Sequence, residues 1–397
     1  MSTSYKRHHD VVVVGARAAG GATALLLARM GHDVGVLERA QFPSDTLSTH
    51  AISRSGVVQL ARWRLLDQVL VSGAPAIRQV TFNAAGESVT RQVKHHAGVD
   101  LLVAPRRHVL DTIVADAAQA AGASVRFGVT VTGIRHEGGR VVGVTARDPA
   151  GDPFELDARF VVGADGLRSR VARSVGAFVD VAGHSDGATH YAYYAGPSWP
   201  GIEFFVGEGA FAGVFPTNDG EACIWVCSPT DRAEQSRRRA ASLAEAFDKM
   251  LAEAAPALAA RLRGARRTSP VRGAMRLPNQ LRQAFGPGWA LVGDAGYHRD
   301  PITGHGISDA FRDAELLAVA LDRALRGEVY DTAALAGYQR QRNEAVREIF
   351  DITYSLAKYP PVAEFVELQK RLSRAIEAEA ATLAARPVPG ERQLAVA

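Results

Sequence analysis

The chain has 397 residues, more than one hydrophobic core usually organises, so two lobes are expected. Its composition, 47% hydrophobic and 22% charged, excludes a disordered chain. The net charge of +4 rests almost wholly on scattered arginines rather than on a basic patch, which speaks against a nucleic-acid surface and suits an anionic cofactor or substrate.

The opening residues, Met1 to Asp10, are polar and lack the apolar core of a signal peptide. No apolar run approaches the roughly 18 residues of a membrane span. A cytoplasmic chain that meets neither membrane nor nucleic acid is expected. Val11-Val12-Val13-Val14 reads as a strand buried on both faces of a parallel sheet. Gly15 stops it, Ala18 to Met30 reads as a helix ended by Gly31, and Asp33 to Leu37 reads as a second strand, followed by Glu38 and Arg39. This is a right-handed βαβ unit.

Between its first strand and helix lies Gly15-Ala16-Arg17-Ala18-Ala19-Gly20. A tight turn opening a helix offers backbone amides to a dinucleotide pyrophosphate, and a carboxylate at the end of the next strand, Glu38, reaches a ribose hydroxyl. Arg17 stands where that fingerprint has its middle glycine. Its guanidinium either meets the phosphates in place of close backbone approach or points outward.

Residues 51 to 70 look helical, 76 to 96 look like paired strands, and Arg107 to Ala121 is a helix. A meander follows over Val125–Ile134, Val141–Asp148 and Phe154–Leu156, and then a separate buried strand at Phe160-Val161-Val162. Residues 188 to 228 are strands dense in aromatics, holding nine of the chain's 28 aromatic residues. Alternation sends half of these to a core and leaves the rest to line an apolar pocket, for which Tyr193, Phe205, Phe215 and Trp225 are the candidates. Cys223 and Cys227 share one strand, about 13 Å apart and too far to bridge, as in a reducing compartment. Arg237-Arg238-Arg239 lie on a solvated helix face, and a helix spans about 240 to 263 through Pro256. Trp289 to Val292 is a last apolar strand. The remainder is helical to about 384, with a loose tail from Arg386 to Ala397.

Two stretches after the first turn carry further motifs: DARFVVGADGLRSRVAR from Asp157, and GWALVGDAGYHRDPITGHGISDA from Gly288. Taken in order with the first turn, they resemble the para-hydroxybenzoate-hydroxylase-like flavoproteins, whose relatives include geranylgeranyl reductases and flavin-dependent halogenases. The resemblance covers most of residues 9 to 325. It implies that Asp165-Gly166 contact FAD and the nicotinamide cofactor, that Asp294 of Gly293-Asp294 bonds the ribityl chain, and that Pro301, Gly304 and Gly306 lie along the isoalloxazine ring. It further implies a cofactor contact from Arg107 and an FAD-phosphate contact from Arg54. Independently, glycines before a helix that begins at Ile307 free backbone amides that favour the negative charge of reduced flavin. His50, His298 and His305 are candidates for proton transfer or substrate binding, against plain orienting roles. No metal-ligand spacing and no G-x-S-x-G elbow occur, so no metal is expected.

The expected fold is α/β: a Rossmann-type FAD lobe (residues 1–75, 97–180 and 270–330), an inserted antiparallel substrate lobe (76–96 and 181–269), C-terminal helices (331–385) and a flexible tail (386–397). The resemblance implies an NAD(P)H-dependent monooxygenase that hydroxylates an electron-rich aromatic or polycyclic molecule with O2 through a flavin C4a-hydroperoxide. Its partners would be that small molecule and O2, with a homodimer admitted. A geranylgeranyl-type reductase and a non-catalytic escort protein are the alternatives. A halogenase would need W-x-W-x-I-P, which is absent.

Overall fold

The valine run forms the centre of β1 (His8–Val14), where Val11, Val12 and Val13 are wholly buried. It opens a computed structural model that describes residues 8–391. The chain turns at Gly15 into α1 (Ala18–Arg29), returns along β2 (Val34–Glu38) and passes through α2 (Arg54–Arg62) and α3 (Leu66–Val71). After a hairpin of β3 (Gln79–Ala84) and β4 (Glu87–Gln92) come α4 (Arg107–Ala120), β5 (Ser124–Phe127), β6 (Thr130–Glu137), β7 (Arg140–Arg147), β8 (Pro153–Gly163) and α5 (Arg170–Ser174). The aromatic region supplies β9 (Val179–His184), β10 (Gly187–Ala195), β11 (Ile202–Gly207), β12 (Ala210–Pro216) and β13 (Ala222–Pro229). Helices α6 (Thr230–Arg238), α7 (Leu243–Ala254) and α8 (Pro256–Arg261) follow, then the short strands β14 (Arg266–Arg267), β15 (Arg272–Met275), β16 (Pro278–Arg282), β17 (Phe285–Gly286), β18 (Trp289–Leu291) and β19 (Tyr297–His298). Three long helices close the chain: α9 (Gly306–Leu325), α10 (Asp331–Leu356) and α11 (Val362–Ala384).

The first sheet has the order β17-β18-β8-β1-β2-β5, and β18, β8, β1, β2 and β5 run parallel. Val14 is level with Leu37 and Gly163, and Gly163 with Leu291, so four strands end flush at one carboxyl edge. Alanine and leucine side chains of α1 pack on this sheet together with α4 and α9, and the cluster includes Leu25, Leu26, Phe311 and Leu317. The second sheet has the order β14-β10-β13-β12-β11-β3-β4. All its pairings are antiparallel except β11 with β3. One of its faces packs on α7 and α8, the other toward α10 and α11. A small sheet, β19-β16-β9, lies beside the loop at residue 300. No helix among the described residues is long and apolar enough to cross a membrane.

Several elements differ from the expectation. Phe154–Leu156 and Phe160–Val162 are one strand, β8: its first half alternates buried and exposed beside β7, and its second half is buried on both faces beside β1. The change of pattern, not a break, divides it in the sequence. Val125–Ile134 is two strands, one ending the parallel sheet and one starting the meander. Pro256 begins α8 instead of sitting inside a helix, as its missing N–H allows. β15 pairs with β10, which carries the second sheet past 269 to Met275. In the stretch taken for a loose tail, Arg62 holds the carbonyls of Arg386 and Pro387, and Val388 packs on the core. Residues 392–397 of that tail, and Met1 to Arg7, lie outside the described residues.

Candidate cofactor cleft and substrate cavity

The flush carboxyl edge brings three separate turns together. Gly15 has φ +103°, and a Cβ there would lie 2.6 Å from the Ala164 carbonyl oxygen, one residue before Asp165. A Cβ on Gly20 would meet the Gly15 carbonyl and Ala164, and one on Gly293 (φ +59°) would come within 2.7 Å of Ala19. The glycines are therefore the condition for Gly15–Gly20, Asp165-Gly166 and Gly293-Asp294 to share one edge. Gly166, Gly304 and Gly306 differ: a Cβ on any of them meets nothing within 4 Å. They border open space; the left-handed backbone of Gly166 (φ +77°) and Gly304 (φ +61°) itself favours glycine, whereas Gly306 has neither constraint.

The groups around this space fit a dinucleotide. The N-terminus of α1 has no side-chain cap and no acidic residue in its first turn, leaving its amides to a ligand. Glu38 is buried beside it, accepting from Ala16 N and from Ala40 N at 2.8 Å each, while Arg39 is exposed. Arg17 turns along the wall of the cleft. Its Nη1 donates to Asp111 Oδ2 at 2.7 Å and to the Ser44 carbonyl at 3.0 Å, and its guanidinium stands 5.3 Å from the Phe42 ring. Arg107 grips the other oxygen of Asp111 at 2.9 Å. One buried carboxylate thus holds two guanidinium groups, and the wall keeps a net positive charge suited to phosphate.

Asp165 caps the next turn, accepting from Ser169 Oγ and the amides of Arg170 and Val171. Asp294 is open to solvent although protein surrounds it densely, as for a group on the wall of a deep crevice. Desolvation there raises its carboxyl pKa, against the pull of His298 and Arg107. Pro301–Thr303 make a single tight turn capped by Asp300, whose Oδ1 accepts from Ile302 N at 2.8 Å. Asp300 is fixed in turn by Asn279 and Ser185. Gly304 (φ +61°) then swings the chain into α9, while the Ile307 side chain packs in the core.

The histidines occupy three environments. His305 is completely buried and turns away from the open loop, with Nε2 donating to Glu379 Oε2 of α11 at 2.8 Å. In this position it ties the loop to α11. Beside it Arg312 binds Asp309 at 2.7 Å and Glu379 at 2.8 Å, so a cation already fills the group of metal-type donors His305, Asp309 and Glu379. His298 keeps its Nδ1 proton on the Pro278 carbonyl at 2.6 Å. His50 is buried in the left-handed region (φ +51°), stacked on Tyr193 with centroids 5.5 Å apart, and neither ring nitrogen has a well-formed hydrogen bond among the described residues. Burial first, and the Arg106 charge second, push its pKa down to about 3.

A cavity of about 300 Å³ lies between the second sheet and α11 and ends on Pro301–Gly304. Five rings line it: Phe82, Phe204, Phe211, Phe215 and Trp225. Tyr193 is not among them, being sandwiched between His50 and the guanidinium of Arg106, 3.7 Å above its ring. Phe205 faces the opposite side of β11 and packs with Phe247, Met250 and Leu258. Phe204 is the residue on the cavity side, since neighbours on a strand point to opposite faces. Arg54 bonds Glu377 of α11 through Nε at 2.7 Å and the Val99 carbonyl through Nη1 at 3.0 Å, and it lines the cavity.

Sequence reasoning missed Asp111, Arg106 and Asp45. Asp111 had a signal, the i, i+4 spacing from Arg107 on one helix face. Arg106 joins Asp45 and Glu221 across the lobes, a pairing no local spacing shows. Burial works to raise the Asp45 carboxyl, but the bond and charge of Arg106, helped by His108, bring it down to about 2.

A sequence profile of the family described as "FAD binding domain" matches residues 8–353. A digeranylgeranylglycerophospholipid reductase of Methanocella arvoryzae is 26% identical over 358 residues, covering 88% of this chain and 87% of its own. A kynurenine 3-monooxygenase of Salinispora arenicola is 28% identical over 404 residues, covering 93% and 82%. Among solved structures, a triple mutant of the flavin-dependent brominase Bmp2 superposes with a TM-score of 0.81 over 96% of this chain and 97% of its own, at 18% identity, a likeness of fold alone.

Proposed function

The chain belongs to the FAD-binding-domain family of oxidoreductases, and on that premise we propose that it is an NAD(P)H-dependent monooxygenase that hydroxylates an electron-rich aromatic or polycyclic small molecule. The observation that carries this reading is the aromatic-lined cavity ending on the Pro301–Gly304 loop, beside the edge where the three motifs meet. Five rings suit a flat aromatic substrate.

FAD, when bound, supplies hydride acceptance and the activation of O2. The chain's own part is binding, orientation and exclusion of water. The amides of α1 and the Arg17–Arg107 wall would hold the pyrophosphate, Glu38 the adenosine ribose and Asp294 the ribityl chain. The Pro301–Gly306 loop would border the ring, and the free amides at the start of α9 would favour negative charge on it. The cavity would present the substrate's ring to that loop in a site closed to bulk water. Among the described residues that line the cavity the one carboxylate, Glu377, is bonded to Arg54, and His50, held neutral, lies behind Tyr193. The cofactor lobe in this reading is residues 1–75, 97–180 and 270–330, and the substrate lobe is 76–96 and 181–269 extended by β15.

A reductase reading is favoured by the name of the archaeal relative. The two separate in one experiment: reduce the flavin with NADH or NADPH under argon, then admit ¹⁸O₂ with a panel of phenols and polycyclic aromatics. Label entering an aromatic product supports the monooxygenase. Release of all the oxygen as hydrogen peroxide, with flavin reoxidised anaerobically by a polyprenyl substrate, overturns it.

A further inference from the structure

Among the polar side chains that border the aromatic-walled cavity, Arg54 is a guanidinium only 7% exposed. Burying a guanidinium is costly unless its N–H groups are paired. Nε and Nη1 are paired, with Glu377 and the Val99 carbonyl. Nη2 makes no hydrogen bond among the described residues, and Arg54 is one of the residues that line the cavity. Nε and Nη2 form the side-on fork of a guanidinium, the pair of parallel donors that matches the two oxygens of a carboxylate. Glu377 takes only half of that fork, through one oxygen.

Glu377 is also partly open to water. Its side chain is 40% exposed, and its second oxygen already lies 3.7 Å from His96 Nε2. It can leave Arg54 for water and His96 without losing solvation. The other cation on the lining, Arg91, is exposed on β4 and makes no ion pair among the described residues.

We propose that Arg54 is the specificity-determining residue of this cavity, taking the carboxylate of a planar aromatic acid on its Nε–Nη2 fork, with Glu377 as the resident counter-ion that the ligand displaces. The proposal rests on the cavity being the substrate site and names the substrate class more closely.

The test is calorimetric titration of the full-length, flavin-loaded protein with 2-naphthoate and 2-naphthamide, which share a ring and differ in charge. The naphthoate should bind at least about tenfold tighter, the lower end of a charge-assisted hydrogen bond. Arg54→Gln should remove that preference while leaving naphthamide affinity in place. Glu377→Gln should tighten naphthoate by about threefold or more, as expected when a competing carboxylate is gone, and leave naphthamide unchanged. Equal affinities in the wild type, binding of neither probe, or a preference lost in Arg91→Ala and kept in Arg54→Gln would overturn the proposal. So would an Arg54→Gln variant that shifts the flavin midpoint potential and keeps the preference, which would place the arginine in the service of the flavin. If Arg54→Gln does not fold, the Glu377→Gln arm decides, and unchanged or weakened naphthoate binding there refutes the idea. The titrations involve no turnover, so an intact preference in a protein that transfers no oxygen would sink the hydroxylase reading and leave Arg54 standing.

Discussion

Asp294 stands on the wall of a crowded crevice, where desolvation raises its carboxyl pKa, and no side-chain hydrogen bond holds it among the described residues. A ribityl hydroxyl would supply one. Asp294→Ala should weaken FAD binding by about 1.5–3 kcal/mol without lowering the stability of the flavin-free chain, a split read by titrating apoprotein with FAD and by urea melts. Glu38, already committed to two backbone amides, differs: removing it should damage both. His50 offers a test in pH. Above about pH 6.5 its ring is neutral in folded and unfolded chains alike and contributes nothing. Below that, the unfolded chain takes up a proton that the folded chain refuses until about pH 3, so stability falls as acid is added through this window. At pH 5 the loss is about 2 kcal/mol. His50→Asn, which tolerates the left-handed backbone, should flatten the slope of urea stability between pH 6.5 and 4. An unchanged slope would mean that the buried imidazole is not its source. At this scale the sequence was readable where a residue acts through its own backbone, as Gly15 and Gly293 do. It was silent where a side chain chooses among distant partners, as Arg54 and His305 do with α11.

Strand parity and loop geometry separate residues that look alike in sequence. Phe204 and Phe205 are adjacent phenylalanines on β11, one facing the cavity and the other the α7–α8 core. Phe205→Ala should cost about 3–5 kcal/mol of stability as a buried void. Phe204→Ala should cost less and chiefly change the affinity for aromatic ligands. Thermal melts beside ligand titrations check both, and equal stability losses would contradict the assignment. The glycines divide in the same way. Gly15→Ala meets the Ala164 carbonyl and should disturb the fold, whereas Gly304→Ala faces open space and carries only the strain of a left-handed residue, about 1–2 kcal/mol. Its larger effect should be on FAD affinity, measured by flavin fluorescence on titration. The βαβ opening, the order of the three motifs and the aromatic sheet were all legible, because periodicity and glycine placement are local signals. The unity of β8 was not, since one strand serving two environments shows two patterns. Nor was the parity of β11, because Phe204 and Phe205 are equally apolar and only the partner layer tells them apart.

At the scale of the whole molecule, the parts of the site come from distant stretches of chain that meet at the flush edge of one sheet and beneath one C-terminal helix. α11 contributes Leu372 and Ile376 to the cavity wall, Glu377 to Arg54, and Glu379 to His305 and Arg312. His305 sits between Gly304 and Gly306, on the loop that would flank the flavin. The loop that would feel the cofactor and the helix that closes the cavity are therefore clasped by the same carboxylate, Glu379. Two binding sites that share a rigid part cannot be energetically indifferent to each other, and linkage makes the coupling symmetric. If an occupied cofactor cleft tightens the cavity toward an aromatic ligand by some factor, the occupied cavity must tighten the cleft toward FAD by that same factor. Four titrations around the closed cycle (each ligand with and without the other) should return one coupling constant by either route, and Glu379→Gln should draw that constant toward unity.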